Sequence, residues 1–174
     1  MELNKNDVTI EDEQLSVNEL KEKLVTELDR IIESCTNEEE GITFHKFEKT
    51  IWLQVCQLGC LFIQLFLTSY NERLDYSKWS DSRLYYFRKK PILRRIKTVF
   101  GEVKYWRYYF VRKDKLSGGF HPLDSILGLT RDGFSPSVIS LTTRLATRVS
   151  FTVSVKLFSC FYIGGHLQPS RLKL

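Results

Sequence analysis

The feature that most constrains this sequence is a run of 18 residues, 51–68, that contains no charged side chain. It lies inside a longer helical pattern over residues 44–75, which would be about 48 Å long at about 1.5 Å per residue. An uncharged run of about 18 residues is the lower limit for a membrane span. In a small domain, such a long helix must pair with another helix of the chain or with another chain. The rest of the molecule has to be organised around it.

Polar side chains decide between these two interpretations. They fall within one narrow sector of the helix at about 100° per residue; they are Lys46, Thr50, Gln54, Gln57, Gln64, Thr68, Asn71 and Asp75. A lipid-spanning helix would have to satisfy the hydrogen-bonding groups of the three glutamines of this stripe within hydrocarbon. The stripe therefore favours a helix that is buried on most sides in a soluble bundle or dimer, and we expect no membrane partner. A membrane-associated protein anchored by residues 51–68 stays an alternative.

A first helix precedes the long one. Residues 1–14 are acidic and polar, which predicts a disordered tail and not a signal peptide. Ser16 and Glu19 form a capping box, in which each side chain satisfies a free backbone N–H of the other. An apolar stripe follows, made of Val17, Leu20, Leu24, Leu28 and Ile31. We expect residues 15–75 to be a helical region through which the chain forms a homodimer.

The charge is distributed unevenly along the chain. Residues 1–42 hold 13 acidic and 4 basic side chains, a net charge of −9. Residues 83–115 hold 12 Lys and Arg and 2 acidic residues, a net charge of +10. The acidic part predicts a solubilising or interaction arm, and the basic part predicts contact with a polyanion.

The basic part, in a region spanning residues 76–132, has the pattern of a β-hairpin. Residues 76–91 are a transition, and residues 92–99 and 102–112 are β-rich runs around Phe100 and Gly101. A loop and a short apolar element, 123–129, follow. A cationic two-stranded ribbon fits a major groove, and its aromatic side chains stack on bases or pack a core. A half-buried sheet with one solvated basic face and its aromatics inside is the alternative.

Residues 133–163 predict a second DNA-binding unit. Ser135 can cap a helix with Pro136 at its first position, and Val138, Leu141, Leu145 and Val149 would form its apolar stripe. A break near Ser150 leads to another helix over 152–161. Such a pair resembles the opening of a helix-turn-helix, although plain core helices give the same pattern. The predicted DNA-binding residues of both units are Arg94, Arg95, Lys97, Lys104, Arg107, Arg112, Lys113, Arg144 and Arg148.

Neither the cysteines nor the histidines predict a metal site or a disulfide framework. The four cysteines are Cys35, Cys56, Cys60 and Cys160, and the three histidines are scattered. Cys56 and Cys60 lie inside the apolar helical pattern, where buried free thiols are typical. We expect no cofactor and a reduced, cytoplasmic compartment.

Four segments of the chain resemble the N-terminal region of bacterial insertion-sequence transposases, of the Kra type or alternatively the Lre type. Residues 98–109, with Arg107, match T-x-F/L-G-E-V-x-x-x-R-x-Y, and residues 122–129 match P-L-D-x-x-L-G-L. Ser150 and Phe151 match a small-aromatic break in the following helical stretch. The fourth segment, residues 86–91, precedes them, and the resemblance covers about residues 44–163. No single segment would establish it alone.

The order of these elements, two N-terminal helices, a basic hairpin and a small helical unit, predicts an α+β fold. The resemblance implies binding to double-stranded DNA at the ends of a mobile element, in the nucleoid. It also implies a catalytic domain whose three carboxylates hold two divalent metals, so Mg²⁺ is expected only there. This chain has no Asp or Glu after Asp132, and we expect Glu102, Asp124 and Asp132 to have turn and capping roles. The chain is therefore expected not to be an enzyme.

The pattern changes again at the C-terminal end. Residues 164–174 lose both the match and the periodicity, which suggests a truncated product with an aberrant tail. The other open interpretation is an oligomerisation or interaction remnant that does not bind DNA.

Overall fold

The computed structural model describes residues 14–36, 42–80, 85–112 and 118–148. Within them the chain is α+β, with five helices and one two-stranded antiparallel sheet. The elements are α1 (Val17–Thr36), α2 (Phe44–Arg73), α3 (Ser77–Ser80), β1 (Tyr85–Lys97), β2 (Glu102–Arg112), α4 (Pro122–Leu127) and α5 (Pro136–Arg148). The predicted tail before residue 14, the helix over 152–161 and the segment 164–174 lie outside the described residues.

The two N-terminal helices form the predicted pair. The capping box begins α1: the Ser16 amide donates to the Glu19 carboxylate at 2.7 Å, and the Glu19 amide donates to Ser16 Oγ at 3.3 Å. The short segment between the helices makes α1 and α2 antiparallel neighbours that pack side by side. Gln54 Nε2 donates to Ser34 Oγ across the pair at 2.9 Å. One member of the predicted polar stripe thus serves to join the two helices.

Within the described residues of the single chain, the long helix α2 is not buried on most sides. Its expected burial in a dimer stays a prediction. Asn71 of the polar stripe is buried, and Tyr76 Oη donates to its side-chain oxygen. The sector opposite the stripe is open, and its exposed side chains are Phe44, Trp52, Val55, Phe62 and Phe66. Within the described part of the chain, α2 is the one helix long and apolar enough to cross a membrane.

The hairpin is longer than the sequence indicates. β1 begins at Tyr85 and not at residue 92, and it pairs with β2 from Tyr85 opposite Arg112 to Lys97 opposite Glu102. The register shifts between Arg88 and Ile92. Pro91, which has no N–H to donate to a ladder, lies in this irregularity, where proline is tolerated. The strand therefore passes through the residue that predicted its boundary.

The turn of the hairpin connects Thr98 and Gly101. Their backbones exchange hydrogen bonds of 2.8 and 3.2 Å, and Thr98 Oγ1 accepts from the Phe100 amide at 3.2 Å. Gly101 has φ 146°, in a region that side chains with a Cβ seldom adopt. The turn lies against α2, because a Cβ on Gly59 would stand 2.6 Å from the Phe100 ring. Glycine at both positions permits this close approach.

The core lies between α2, α4 and one face of the sheet. Its buried members come from all of these elements; they are Leu67, Ile96, Val103, Tyr105 and Leu123. The Lys97 amide donates to the Gly133 carbonyl, and the Ser135 amide donates to the Lys97 carbonyl, both at 2.8 Å. α5 follows directly, with Ser135 Oγ accepting from the Val138 amide at 3.3 Å as predicted. Of its predicted apolar stripe, Val138 is buried whereas Leu141 is exposed.

Candidate nucleic-acid interface

The register of the hairpin divides its cations between two faces. Residues directly opposite each other in an antiparallel pair share a face, and alternate residues along a strand point to opposite sides. Arg94 is opposite Tyr105, and Ile92 is opposite Arg107, so both arginines lie on the inner face that packs against α2 and α4. Arg95 is opposite Lys104, and Lys97 is opposite Glu102. These residues lie on the outer face.

The inner face is built around a buried carboxylate. Asp124, in the first turn of α4, accepts from Arg94 Nη1 at 2.5 Å and from Tyr105 Oη at 2.7 Å. Arg107 also forms an ion pair with Asp124, and Arg94 Nη2 donates to the Thr130 carbonyl. Asp124 is thus the common acceptor of three side chains from both strands, which is more than the turn and capping role that its position predicts.

The prediction that Arg94 and Arg107 contact phosphates does not fit this geometry. Arg94 is buried, and the Arg107 side chain is only 16% exposed. Burial and the neighbouring charge of Arg94 lower the pKa of Arg107 to about 10, which still leaves it protonated at neutral pH. Breaking a buried ion pair to reach a phosphate would strand a charge in the core. The two arginines stabilise the hairpin from inside.

The sequence contained a signal for this assignment. Arg94 has the same parity along β1 as Ile92 and Ile96, and Arg107 has the same parity along β2 as Val103 and Tyr105. In a strand, equal parity means the same face. Two cations on the same face as the apolar residues predict a carboxylate partner inside the fold. Asp124 is that partner.

The outer face carries the cations that solvent reaches. The Arg95 side chain is 56% exposed, and its contact with Glu102 is 3.9 Å long. Lys97 and Lys104 are partly exposed, and Lys97 Nζ lies 5.6 Å from the centre of the Phe134 ring. Trp106, opposite Leu93, is a half-buried aromatic on the same face. Cations and an aromatic ring therefore share one side of a two-stranded ribbon.

The remaining predicted cations are dispersed. Arg144 and Arg148 are exposed on the second half of α5. Arg112 is partly exposed at the end of β2, far along the ribbon from the turn, and Lys113 lies outside the described residues. The structure thus groups Arg95, Lys97 and Lys104, whereas Arg112, Arg144 and Arg148 lie elsewhere along their elements.

Two aromatic residues of β2 belong to the core. Tyr105 and Phe110 are fully buried. Tyr76 packs edge-on against Tyr108 and stacks on Phe110, with ring centres 5.0 and 6.1 Å apart. The Tyr109 hydroxyl accepts from the Gly119 amide at 2.7 Å. The alternative of a sheet with its aromatics inside is confirmed for Tyr105 and Phe110.

His121 connects β2 to the start of α4. Its Nδ1 donates to the Tyr108 carbonyl at 2.9 Å, and its ring lies 4.8 Å from that of Tyr109. Burial lowers the pKa of His121, and the charges of Arg107 and Arg94 add to this effect. The imidazole is thus a neutral structural group beside the Asp124 cluster.

Among the residues that the structure describes, no three His, Cys, Asp or Glu side chains group together in a way that could hold a metal ion. Cys35, Cys56 and Cys60 are free thiols, and burial raises the pKa of Cys60 to about 11. Cys60 is therefore protonated at neutral pH.

Comparisons of the chain with protein-family models, with curated proteins and with solved structures give no match. The resemblance to insertion-sequence transposases therefore rests on the sequence segments alone.

Proposed function

We propose that the chain binds double-stranded DNA through the outer face of its β-hairpin. The observation that carries this proposal is the direct opposition of Arg95 and Lys104 on the outer face. The Arg95 side chain is 56% exposed there, and Lys104 is partly exposed, so solvent and a ligand can reach both. A polyanion bound to this face would be attracted by both cations and by Lys97, which lies on the same face of β1.

The geometry of the ribbon fits a duplex. A two-stranded antiparallel ribbon has the width of a major groove. Tyr76 and Trp79 cover the outer face at Tyr108 and Phe110, so the part of this face offered to DNA is the half nearer the turn. Trp106 on the outer face supplies apolar surface for contact with sugar or base edges. In this proposal Arg94 and Arg107 shape the ribbon, whereas Arg95, Lys97 and Lys104 contact phosphates.

The role that fits the sequence resemblance is recognition of the ends of a mobile element by the N-terminal part of a transposase. Strand cleavage and joining would then belong to a metal-dependent catalytic domain that is not in this sequence. The chain itself would position DNA in the bacterial cytoplasm, at the nucleoid, and would not be an enzyme.

The salt dependence of binding to a fluorescent duplex tests the proposal. The logarithm of the association constant falls linearly with the logarithm of salt concentration, by about 0.9 per phosphate neutralised. Replacing Arg95, Lys97 and Lys104 together with Ser is expected to flatten this slope by about 2 to 3 units. The matched control replaces three exposed lysines of the helical pair, Lys21, Lys46 and Lys49, and should leave the slope unchanged.

An unchanged slope in the hairpin variant, with its circular dichroism intact, would show that this face does not contact DNA. Equal flattening in both variants would reduce the interaction to general charge attraction. End recognition requires more than phosphate contacts. Selection from a random duplex pool should therefore enrich a common sequence if the transposase role is right.

A further inference from the structure

The open sector of α2 has the spacing of a helix–helix seam. Trp52, Val55, Phe62 and Phe66 are exposed, and with Gly59 they recur at alternating intervals of three and four residues. This is the period of the a and d positions of a coiled coil. The Phe62 side chain is 56% exposed and that of Phe66 is 50% exposed. Phe100 borders the seam, because its ring covers Gly59.

The first helix extends this apolar surface. Leu20 and Leu24 are its buried residues, whereas Val25, Leu28 and Ile32 are exposed. At about 100° per residue, these three lie on one flank of the α1 packing line. Because α1 and α2 are antiparallel, that flank lies on the same side of the pair as the α2 seam. The helical pair thus presents one continuous apolar face.

We propose that this face binds a second copy of the chain, with the two α2 helices antiparallel. The charged residues that end the seam are complementary in this arrangement. Continuing the seam outward reaches Glu48 at one end and Arg73 at the other, and both are exposed. An antiparallel pairing about the middle of the helix brings Glu48 of each copy opposite Arg73 of the other. A parallel pairing would place like charges together.

The same register matches large side chains with small ones. In two antiparallel helices, the residue numbers of facing positions have the same sum in every layer. Here the pair of Glu48 and Arg73 fixes that sum. Each layer then combines residues of different size from the two copies: Trp52 with Ser69, Val55 with Phe66, and Phe62 with the Phe100 ring that covers Gly59. Alternation of large and small residues across facing positions is what close packing requires.

The surroundings of the face fit a protein partner better than a lipid surface. Helices that lie on membranes carry Lys and Arg on their polar faces and are attracted to anionic lipids. α1 instead carries Glu19, Glu22, Glu27, Asp29 and Glu33 against three basic residues. Glu48 at the end of the seam would also be drawn towards the lipid.

Sedimentation equilibrium of the full chain, without DNA, tests the proposal independently of the proposed function. The wild type is expected to be a dimer. Phe62→Glu should be a monomer with unchanged circular dichroism, because Phe62 is exposed in the single chain. The control Gln57→Glu places the same charge at an exposed position on the polar stripe of α2 and should leave the dimer intact. A monomeric wild type, or a dimeric Phe62→Glu variant, would overturn the proposal.

A charge exchange tests the antiparallel register. Glu48→Arg and Arg73→Glu should each raise the dimer dissociation constant roughly threefold to tenfold, because each creates two repulsive pairs. Combining them should restore the wild-type value. Failure of the double variant to recover would refute the register. Flotation of the wild type with vesicles of neutral and anionic lipid, lost in Phe62→Glu, would identify a membrane as the occupant instead.

Discussion

The Asp124 carboxylate is the counter-charge of Arg94 and Arg107 on the inner face of the hairpin. It is the shared acceptor of Arg94, Arg107 and Tyr105 in a site that solvent hardly reaches. Asp124→Asn should lower the free energy of unfolding by about 3 to 5 kcal/mol, because it leaves two arginines in the core with no counter-charge. Urea denaturation monitored by tryptophan fluorescence measures this loss. Asp132→Asn, at an exposed turn, should change stability by less than about 0.5 kcal/mol, and an equal loss in both variants would contradict the buried cluster.

His121 should make stability depend on pH near neutrality. Its pKa in the folded chain lies below the ordinary value of 6.5, so the unfolded chain takes up the proton first. Stability is therefore full above about pH 6.5 and falls as the pH drops through that value, by at most about 1.4 kcal/mol per pH unit. His121→Gln should show a shallower decline between about pH 7.5 and about pH 5.5. Parallel stability curves for the two proteins would assign the pH dependence to other groups.

At the scale of elements, local signals predicted the helices well. The capping box at Ser16, the cap at Ser135 and the uncharged run of α2 each act within a few residues, and the structure places helices there. The first half of β1 was missed because Pro91 and the polar residues before it indicate a break. Its pairing with β2 depends on a register shift that accommodates Pro91. The local sequence gives no signal of that shift.

The composition of the candidate site was directly predictable, whereas its geometry was signalled only by the positions of Arg94 and Arg107 in phase with the apolar residues of their strands. The excess of cations in residues 83–115 is plain from the sequence. A count of charges, however, does not distinguish Arg94 from Arg95. Strand pairing separates them, because adjacent residues point to opposite faces. The position of Asp124 under the inner face comes from the packing of α4, and its charge then fixes which arginines are internal. Nonlocal contacts of this kind are what a single sequence specifies least directly.

The whole molecule keeps its two proposed surfaces apart. α2 packs against the inner face of the sheet through Leu67 and its neighbours, so the helical pair and the basic outer face lie on opposite sides of the ribbon. The charges follow the same division, with acidic residues prominent on α1 and cations on the outer face. Association through α2 therefore leaves the outer face of each copy open. The two proposed activities can operate in one assembly without competing for surface.

The last prediction concerns whether α5 belongs to the same DNA-binding surface. The chain enters α5 directly from the segment that pairs with the backbone of Lys97, so the helix begins at the edge of the basic ribbon. Its exposed Arg144 and Arg148 could then follow a phosphate backbone beyond the groove that the ribbon occupies. Replacing both with Ser should flatten the salt dependence of duplex binding by about 2 units, in addition to the change caused by the ribbon substitutions.

Additivity is expected because the two groups would neutralise different phosphates, and it is measured by combining all five substitutions in one chain. Lys21→Ser with Lys46→Ser removes the same number of charges from the helical pair and should not alter the slope. If the α5 variant keeps the slope of the wild type while the ribbon variant loses it, the DNA contact is confined to the hairpin, and α5 has another role. If only the α5 variant loses it, the proposed contact surface must move from the ribbon to the helix.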